Sequence, residues 1–308
     1  MRWYYHPGYV YGRHFPGLPR TLHGFTRDRA ARIHRALKKA GITDFVAPDA
    51  VAEAAVAAVH TPQVVAGLHD ARAVAEAVEL DWLAHLPTFL VRRLVVAPQL
   101  RAAGGTVLAL RAAADGAWTF NLSGGFHHAR PDQSHGFCLI NDVAIAVDQL
   151  RKAERRPPIL ILDLDLHQGD GNAAAFAGDR EVFTVSMHEE AVFPFPKLAS
   201  GLDVGLASGI GDSVYLRHLD RTLAALPERF TPAVVIYVAG TDPLEADPLG
   251  HLYLSPQGLV ERDRRVARYV RAQGAGLVVL PAGGYSPESP ACAAAGMLAM
   301  AEEAPPGV

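Results

Sequence analysis

The stretch that most constrains this chain is Pro158 to Asn172, which reads Pro-Ile-Leu-Ile-Leu-Asp-Leu-Asp-Leu-His-Gln-Gly-Asp-Gly-Asn. A run as short and as apolar as Ile159 to Leu162 reads as a buried central strand. The D-x-D-x-H that follows places Asp163, Asp165 and His167 at period two, so on a continued strand all three leave from one face. Two carboxylates and an imidazole at a buried strand end are costly unless something compensates them. A divalent cation is the simplest compensation, and mixed Asp/His ligation suits Zn2+. The same residues also fit a strand end whose acids are hydrogen-bonded beside a helix N-terminus, and D-x-D-x-H alone does not choose between the two.

Composition sets the frame. A chain of 308 residues, half of them apolar, is long enough for one large α/β domain or two small ones. The net charge of −3 argues against a nucleic-acid or anionic-membrane surface. The two cysteines, Cys138 and Cys292, are far apart. They exclude a disulfide framework and an all-cysteine zinc site, and they fit a reducing cytoplasm. The opening Met-Arg-Trp-Tyr-Tyr-His-Pro has no apolar core of a signal peptide, and the small-residue run Ala291 to Ala301 is too short to span a bilayer.

Residues 1–25, rich in Tyr, His, Gly and Pro, read as loop whose aromatics pack on something or line a rim. A helix is predicted over Arg27 to Ala40, stopped by Gly41. A second is predicted from an Asp49 cap through about His60. Further helical patterns run over Asp70 to Leu80 and over Leu90 to Leu110, the latter interrupted at Pro98 and at Gly104-Gly105. From residue 116 strands and helices alternate. The strand candidates are Ala117 to Leu122, Ile159 to Leu162, Glu181 to Met187, Ala233 to Val238 and Leu277 to Leu280. The helices are Asn141 to Arg155, Ser213 to Leu226 and Ser255 to Gln273. Such alternation implies a mostly parallel sheet covered on both faces, hence an α/β, three-layer fold. With no internal repeat, linker or charge block, one domain over 1–308 is the simpler reading.

Ligands of open parallel sheets bind beyond the carboxyl ends of the strands. Here four strands deliver reactive groups at that end: His127 and His128, then Asp165 and His167, then Asp242, then Tyr285. Each alone has an ordinary explanation as a polar turn, a cap or a Gly-Gly-Tyr loop. Together they fit one chemistry, metal-assisted hydrolysis of an amide. Asp165, His167 and Asp242 would ligate zinc with a position left open, a neutral histidine would take the proton of water, and a tyrosine would donate to the oxyanion.

At these residues the chain resembles the zinc-dependent histone deacetylases, which have the arginase-like α/β fold. The resemblance is carried by Gly124-Gly125-Phe126-His127-His128-Ala129, Gly136 to Asp142, Asp163 to Gly171, Val185 to His188, Ala239 to Gly250 and Gly283-Gly284-Tyr285, in the family's order. Gln168, the Phe193-Pro194-Phe195 segment and Ala282-Gly283-Gly284-Tyr285 are most similar to the class IV branch and its bacterial relatives. The resemblance implies zinc held by Asp165, His167 and Asp242, His128 as general base with His127 beside it, and Asp163 and Asp170 as the carboxylates that orient the two rings. It also implies Tyr285 as oxyanion donor, Gly136 and Phe137 lining an acyl-lysine tunnel, and Cys138 near its floor. A structural K+ is implied near Asp163, Asp165, His167, Ser186 and Met187, which frees Asp163 from ligating zinc and revises the one-face argument above.

The chain departs from class I members at Ala282, where they carry a further glycine, and no rim aspartate that grips the substrate backbone can be placed. The substrate implied is an acyl-lysine protein or a small acylated amine such as an acetylpolyamine. A binuclear manganese ureohydrolase would need more Asp and His ligands, and a non-catalytic acyl-lysine binder would need neither base nor oxyanion donor. The class IV character further implies activity on long acyl chains, with Phe137, Phe193 and Phe195 as apolar walls.

Overall fold

A computed structural model describes residues 1–13, 21–22 and 25–306. Its frame is a seven-stranded, all-parallel sheet: β1 (Arg2–Tyr4), β2 (Trp118–Asn121), β3 (Ile159–Asp163), β4 (Val182–Glu189), β5 (Leu202–Leu206), β6 (Val234–Val238) and β7 (Gly276–Leu280). Across the sheet they run β1-β2-β7-β6-β3-β4-β5. The Ile159 to Leu162 run does lie inside the sheet, between β6 and β4, with every residue buried.

Its alternation splits the core in two. Leu160 and Leu162, with Val235, Tyr237, Leu277 and Val279, face the helices Arg29–Lys39, Asp212–Ala225, Pro256–Gln273 and Ser289–Glu302. Ile159 and Ile161, with Val234, Ile236 and Val278, face the helices Ala97–Ala113 and Asp142–Lys152. Continuous apolar strands are what a sheet buried on both faces requires.

The differences from the sequence reading have local causes. The Ala50 to His60 pattern yields only the helix Glu53–Val56, capped at Ala52, so Asp49 is not its cap. Ala97–Ala113 runs unbroken through Pro98 and Gly104-Gly105. Pro98 sits in the first turn, just after a π-helical segment Arg92–Val96, where its missing N–H costs nothing. Gly104 and Gly105 let the helix approach the Asp49 carbonyl and the side chains of Tyr9 and Asn121 more closely than a Cβ would permit. The opening stretch is not all loop, because β1 forms one edge of the sheet. Residues 14–20 and 23–24 of that stretch, with the rim-lining expectation for them, lie outside the described residues. The helix Ser289–Glu302 is not predicted from sequence, and neither are two smaller elements. β5 is a half-buried edge strand interrupted by Asp203 and Gly205, and Asp170–Ala175 is a single short helix.

Arg262, on Pro256–Gln273, is fully buried behind the strand ends. Its Nη1 donates to the carbonyls of Leu164 (3.3 Å) and Gly240 (2.6 Å), and its Nε donates to Asp263 Oδ1 (2.9 Å). The Tyr237 hydroxyl donates to the same oxygen at 2.6 Å. One guanidinium therefore ties together the chain beside Asp165 and the chain beside Asp242. Arg262→Leu leaves Asp263 buried without its cation and is expected to cost about 3–5 kcal/mol in denaturant unfolding. The double change Arg262→Leu/Asp263→Leu should cost less than the single one.

Candidate active site

The groups singled out from sequence meet at the carboxyl ends of β2, β3, β6 and β7. β3 itself ends at Asp163. Asp165 and His167 lie beyond it, so strand periodicity does not aim them. A chain of side-chain-to-backbone bonds does: Asp163 Oδ1 accepts from Asp165 N (3.2 Å), and Asp165 Oδ1 accepts from His167 N (3.0 Å). Such turns are a natural use of Asp just past a strand. Asp242 follows β6, and its Oδ1 accepts from Leu166 N at 3.0 Å.

One ligand atom from each of Asp165, His167 and Asp242 lies within 4.8 Å of the others, all three residues being buried. His167 Nδ1 stands 3.3 Å from Asp165 Oδ1 and 3.2 Å from Asp242 Oδ2. Burial and the neighbouring Asp165 charge push the Asp242 carboxyl up to about 7. A pair of buried carboxylates sharing an imidazole is a donor set that a divalent cation fits and that is poorly balanced without one. Asp163 is not in this cluster. Its Oδ2 lies 2.8 Å from His127 Nδ1.

The tandem histidines separate electrostatically. Burial opposes a charge on His127, but Asp163 and Asp165 outweigh it and raise the ring to about 9. His128 is lowered to about 3, by burial and then by the charge on His127, its ring centroid 4.1 Å away. His128 Nδ1 lies 2.7 Å from Asp170 Oδ1. The second oxygen of Asp170 accepts from Arg130 Nε (2.6 Å) and lies 3.0 Å from His135 Nε2. Burial alone would raise the Asp170 carboxyl, but the His128 and His135 rings hold it well below the usual carboxylate range. The loop leading to the pair is fixed by Asp142, whose Oδ2 accepts from Gly125 N (3.0 Å) and Oδ1 from Phe126 N (2.7 Å).

Tyr285 is half-buried, its ring 5.6 Å from that of Phe137. Burial, followed by the nearby Asp242 and Asp165 charges, raises its hydroxyl well above the usual tyrosine value, so it stays a donor. The loop before it adopts a left-handed backbone at Ala282 (φ 41°), where glycine would be easier. Arg29 holds that loop in place. Its Nη2 donates to the carbonyls of Pro281 (2.9 Å) and Gly283 (2.8 Å), and its Nη1 donates to that of Ala282.

Gly136 and Phe137 form a tight turn against His128, with Phe137 also left-handed (φ 65°). Gln99 pins that turn, donating to Phe137 O and accepting from Leu139 N, both at 2.9 Å. Cys138 is buried there, and burial pushes its thiol up, away from any nucleophilic form. Phe193 packs its ring 4.9 Å from His128 and 6.4 Å from His167. Phe195 is not a wall. It is 68% exposed, with the Lys197 ammonium 4.7 Å above its ring. Gln168 braces this segment through Leu198 N and O, at 2.9 and 2.7 Å.

Arg29, Gln99, Arg130, His135 and Asp247, whose carboxylate accepts from Tyr285 N at 2.7 Å, are not legible in the sequence, since each acts mainly through backbone or carboxylate partners remote along the chain. Arg130 directly follows the Gly124 to Ala129 segment, His135 directly precedes Gly136, and Asp247 lies within Ala239 to Gly250, but nothing in those segments singles them out.

Comparison with known proteins identifies the family. The histone deacetylase domain model matches residues 23–301. This chain belongs to the histone deacetylase family. It is 34% identical over 281 residues to a protein named Histone deacetylase 2 of Arabidopsis thaliana, covering 89% of this chain and 72% of that one. A solved structure of a histone deacetylase homologue complexed with SAHA is 26% identical, with a TM-score of 0.71 over 90% of this chain and 77% of its own. An acetylpolyamine aminohydrolase from Burkholderia pseudomallei shares the fold at 23% identity and TM-score 0.75, over 97% of this chain and 98% of its own.

The turn at 136–138 depends on close approach. A Cβ on Gly136 would fall 2.6 Å from the His128 ring, and its φ of 56° disfavours any L side chain. Gly136→Ala is therefore expected to lower unfolding free energy by about 1 kcal/mol or more, and to shift the His128 ring resonances in an NMR spectrum while leaving those of the remote His69 unchanged.

Proposed function

We propose that this chain is a zinc-dependent deacetylase that hydrolyses the amide of an acylated lysine. The reading rests above all on one arrangement: a neutral histidine, a three-residue ligand set and a protonated tyrosine share one site on a histone deacetylase fold. Zinc, when bound by Asp165, His167 and Asp242, would lower the pKa of water and polarise the acyl carbonyl.

The remaining chemistry belongs to the chain. His128, with Nδ1 committed to Asp170, has Nε2 left to take the proton of the attacking water and later to pass it to the departing amine. The amide C–N bond breaks as the new C–O bond forms, giving a carboxylic acid and a free amine. His127 holds its proton between Asp163 and the site, placing a positive charge beside the reacting carbonyl. The Tyr285 hydroxyl donates to the oxyanion as it develops. Phe193 and Phe137 exclude water from either side of the acyl group.

The family resemblance also supplies a structural K+ at Asp163, Asp165, His167, Ser186 and Met187. Asp163 and Ser186 are direct neighbours across β3 and β4, so a carboxylate, a hydroxyl and main-chain carbonyls are to hand. We take the chain, 1–308, as one domain, supported by a single sheet with strands drawn from Arg2 to Leu280. Two free, buried cysteines fit a cytoplasmic setting. No helix among the described residues is long and apolar enough to cross a membrane.

A small acylated amine such as an acetylpolyamine is the second reading, favoured by the fold shared with the Burkholderia pseudomallei enzyme. A panel of acyl-lysine peptides of increasing chain length, run beside acetylated polyamines, separates the readings. Turnover of polyamines alone would replace the first with the second, and turnover of neither would refute both. On whichever substrate is turned over, Tyr285→Phe should lower kcat by roughly a hundredfold or more and leave metal content unchanged.

The purified protein should hold about one zinc per chain, lost in Asp165→Ala and Asp242→Ala. Asp242 must give up its proton to ligate. Its carboxyl sits at about 7 without the metal, and the His167 ring, which Asp165 and Asp242 raise to about 10 against the opposing effect of burial, must also lose its proton to ligate, so zinc affinity should climb with pH throughout, more steeply below about 7 than above it. Titration of zinc into the metal-free protein between pH 5.5 and 8.5 reads this out, and a flat profile would contradict it.

A further inference from the structure

We infer that Asp247 is a positioning residue for Tyr285, acting on the reaction only through the placement of that tyrosine's hydroxyl. The inference rests on the deacetylase reading of the site and extends it to a residue that reading does not use.

The segment 281–286 carries the tyrosine but belongs to no helix or strand. Its backbone groups must therefore be satisfied otherwise. The carbonyls of Pro281, Ala282 and Gly283 turn towards Arg29. The N–H of Ala282 donates to Gly124 O at 3.2 Å, and that of Gly283 to Asp165 Oδ2 at 2.8 Å. The two N–H groups at the tyrosine itself go to one atom. Tyr285 N donates to Asp247 Oδ2 at 2.7 Å, and Ser286 N to the same oxygen at 3.2 Å. Asp247 Oδ1 accepts from Leu249 N at 3.1 Å, which fixes the carboxylate on its own loop. Asp247 is buried, so these bonds are not shared with bulk water.

That loop is the one that begins at the ligand Asp242. It is stitched in turn by Asp247 N to Leu244 O (2.9 Å) and Leu254 N to Pro243 O (3.1 Å). Asp247 thus joins the ligand loop to the oxyanion-donor loop, with its carboxylate on the peptide that bears the Tyr285 side chain. A donor must stand within a few tenths of an ångström of where charge develops, and a displacement of about 1 Å can cost on the order of a hundredfold in rate.

An amide at this position has one acceptor oxygen. In Asp247→Asn either Leu249 N or the Tyr285–Ser286 pair must face an NH2 group. The substrate should still enter and the ligand set should stay whole.

The test is a double-mutant cycle with Tyr285→Phe, on the acylated amine that the wild-type enzyme hydrolyses. Asp247→Asn is expected to keep its zinc, to lower kcat by about tenfold or more and to change KM by less than about threefold. In the Tyr285→Phe background, where no hydroxyl is left to misplace, the same substitution should cost less than about threefold. An equal loss in both backgrounds would make Asp247 a structural staple and overturn the inference, as would an unchanged kcat in the single variant. Should Asp247→Asn not fold, Asp247→Glu, which keeps both oxygens but moves them by a methylene, is read in the same cycle. A wild-type protein that hydrolyses no acylated amine sinks the deacetylase reading and this inference with it. An additive cycle in an active enzyme sinks the inference alone.

Discussion

Buried carboxylates govern this structure. Asp163, Asp165, Asp170, Asp242 and Asp247 all lie below the surface at one end of the sheet, and none could stay there without a partner for each oxygen. Asp163 takes the His127 ring and the Asp165 amide. Asp165 takes the amides of His167 and Gly283, and Asp242 takes the Leu166 amide and the His167 ring. Asp170 takes His128 and Arg130, and Asp247 takes three backbone amides. The loops beyond the strands are therefore shaped by side-chain oxygens rather than by regular backbone pairing.

The cations that stabilise the arrangement stand one layer out. Arg262 sits beneath the carbonyls of Leu164 and Gly240, Arg29 beneath those of Pro281 to Gly283, and Arg130 against Asp170. Guanidinium groups suit this work, because each keeps its charge when buried and offers several donors in a fixed plane. Closer in, the two histidines differ in protonation although they are adjacent in sequence. His127 faces two carboxylates across its ring, while His128 faces His127. Burial, and then the charge on His127, keeps the second ring neutral.

The resemblance to histone deacetylases was already specific in the sequence, and the domain match over 23–301 agrees with it. Ala282, which departs from class I members, and Gln168 both sit in locally coherent surroundings. Ala282 adopts a left-handed backbone in a loop whose carbonyls Arg29 gathers. Gln168 fixes the segment that carries Phe193, turning that phenylalanine onto His128 and His167 and leaving Phe195 in solvent.

The sequence by itself determined the central strands, the alternation of strand and helix, and the residues that meet at the site. Buried parallel strands must be nearly continuous in apolar character, and reactive groups in such sheets gather at the carboxyl ends. It misjudged what depends on contact. The helix Ala97–Ala113 passes through a proline and two glycines because a π segment and a close neighbour accommodate them. Asp165 and His167 are aimed by hydrogen bonds past the end of β3, not by strand periodicity. Only the tertiary structure could decide the roles of Arg29, Gln99, Arg130, His135, Asp247 and Arg262. Their function is to satisfy backbone carbonyls, amides and buried carboxylates that lie mostly far away along the chain, and no local pattern of residues encodes which of those groups will come within reach.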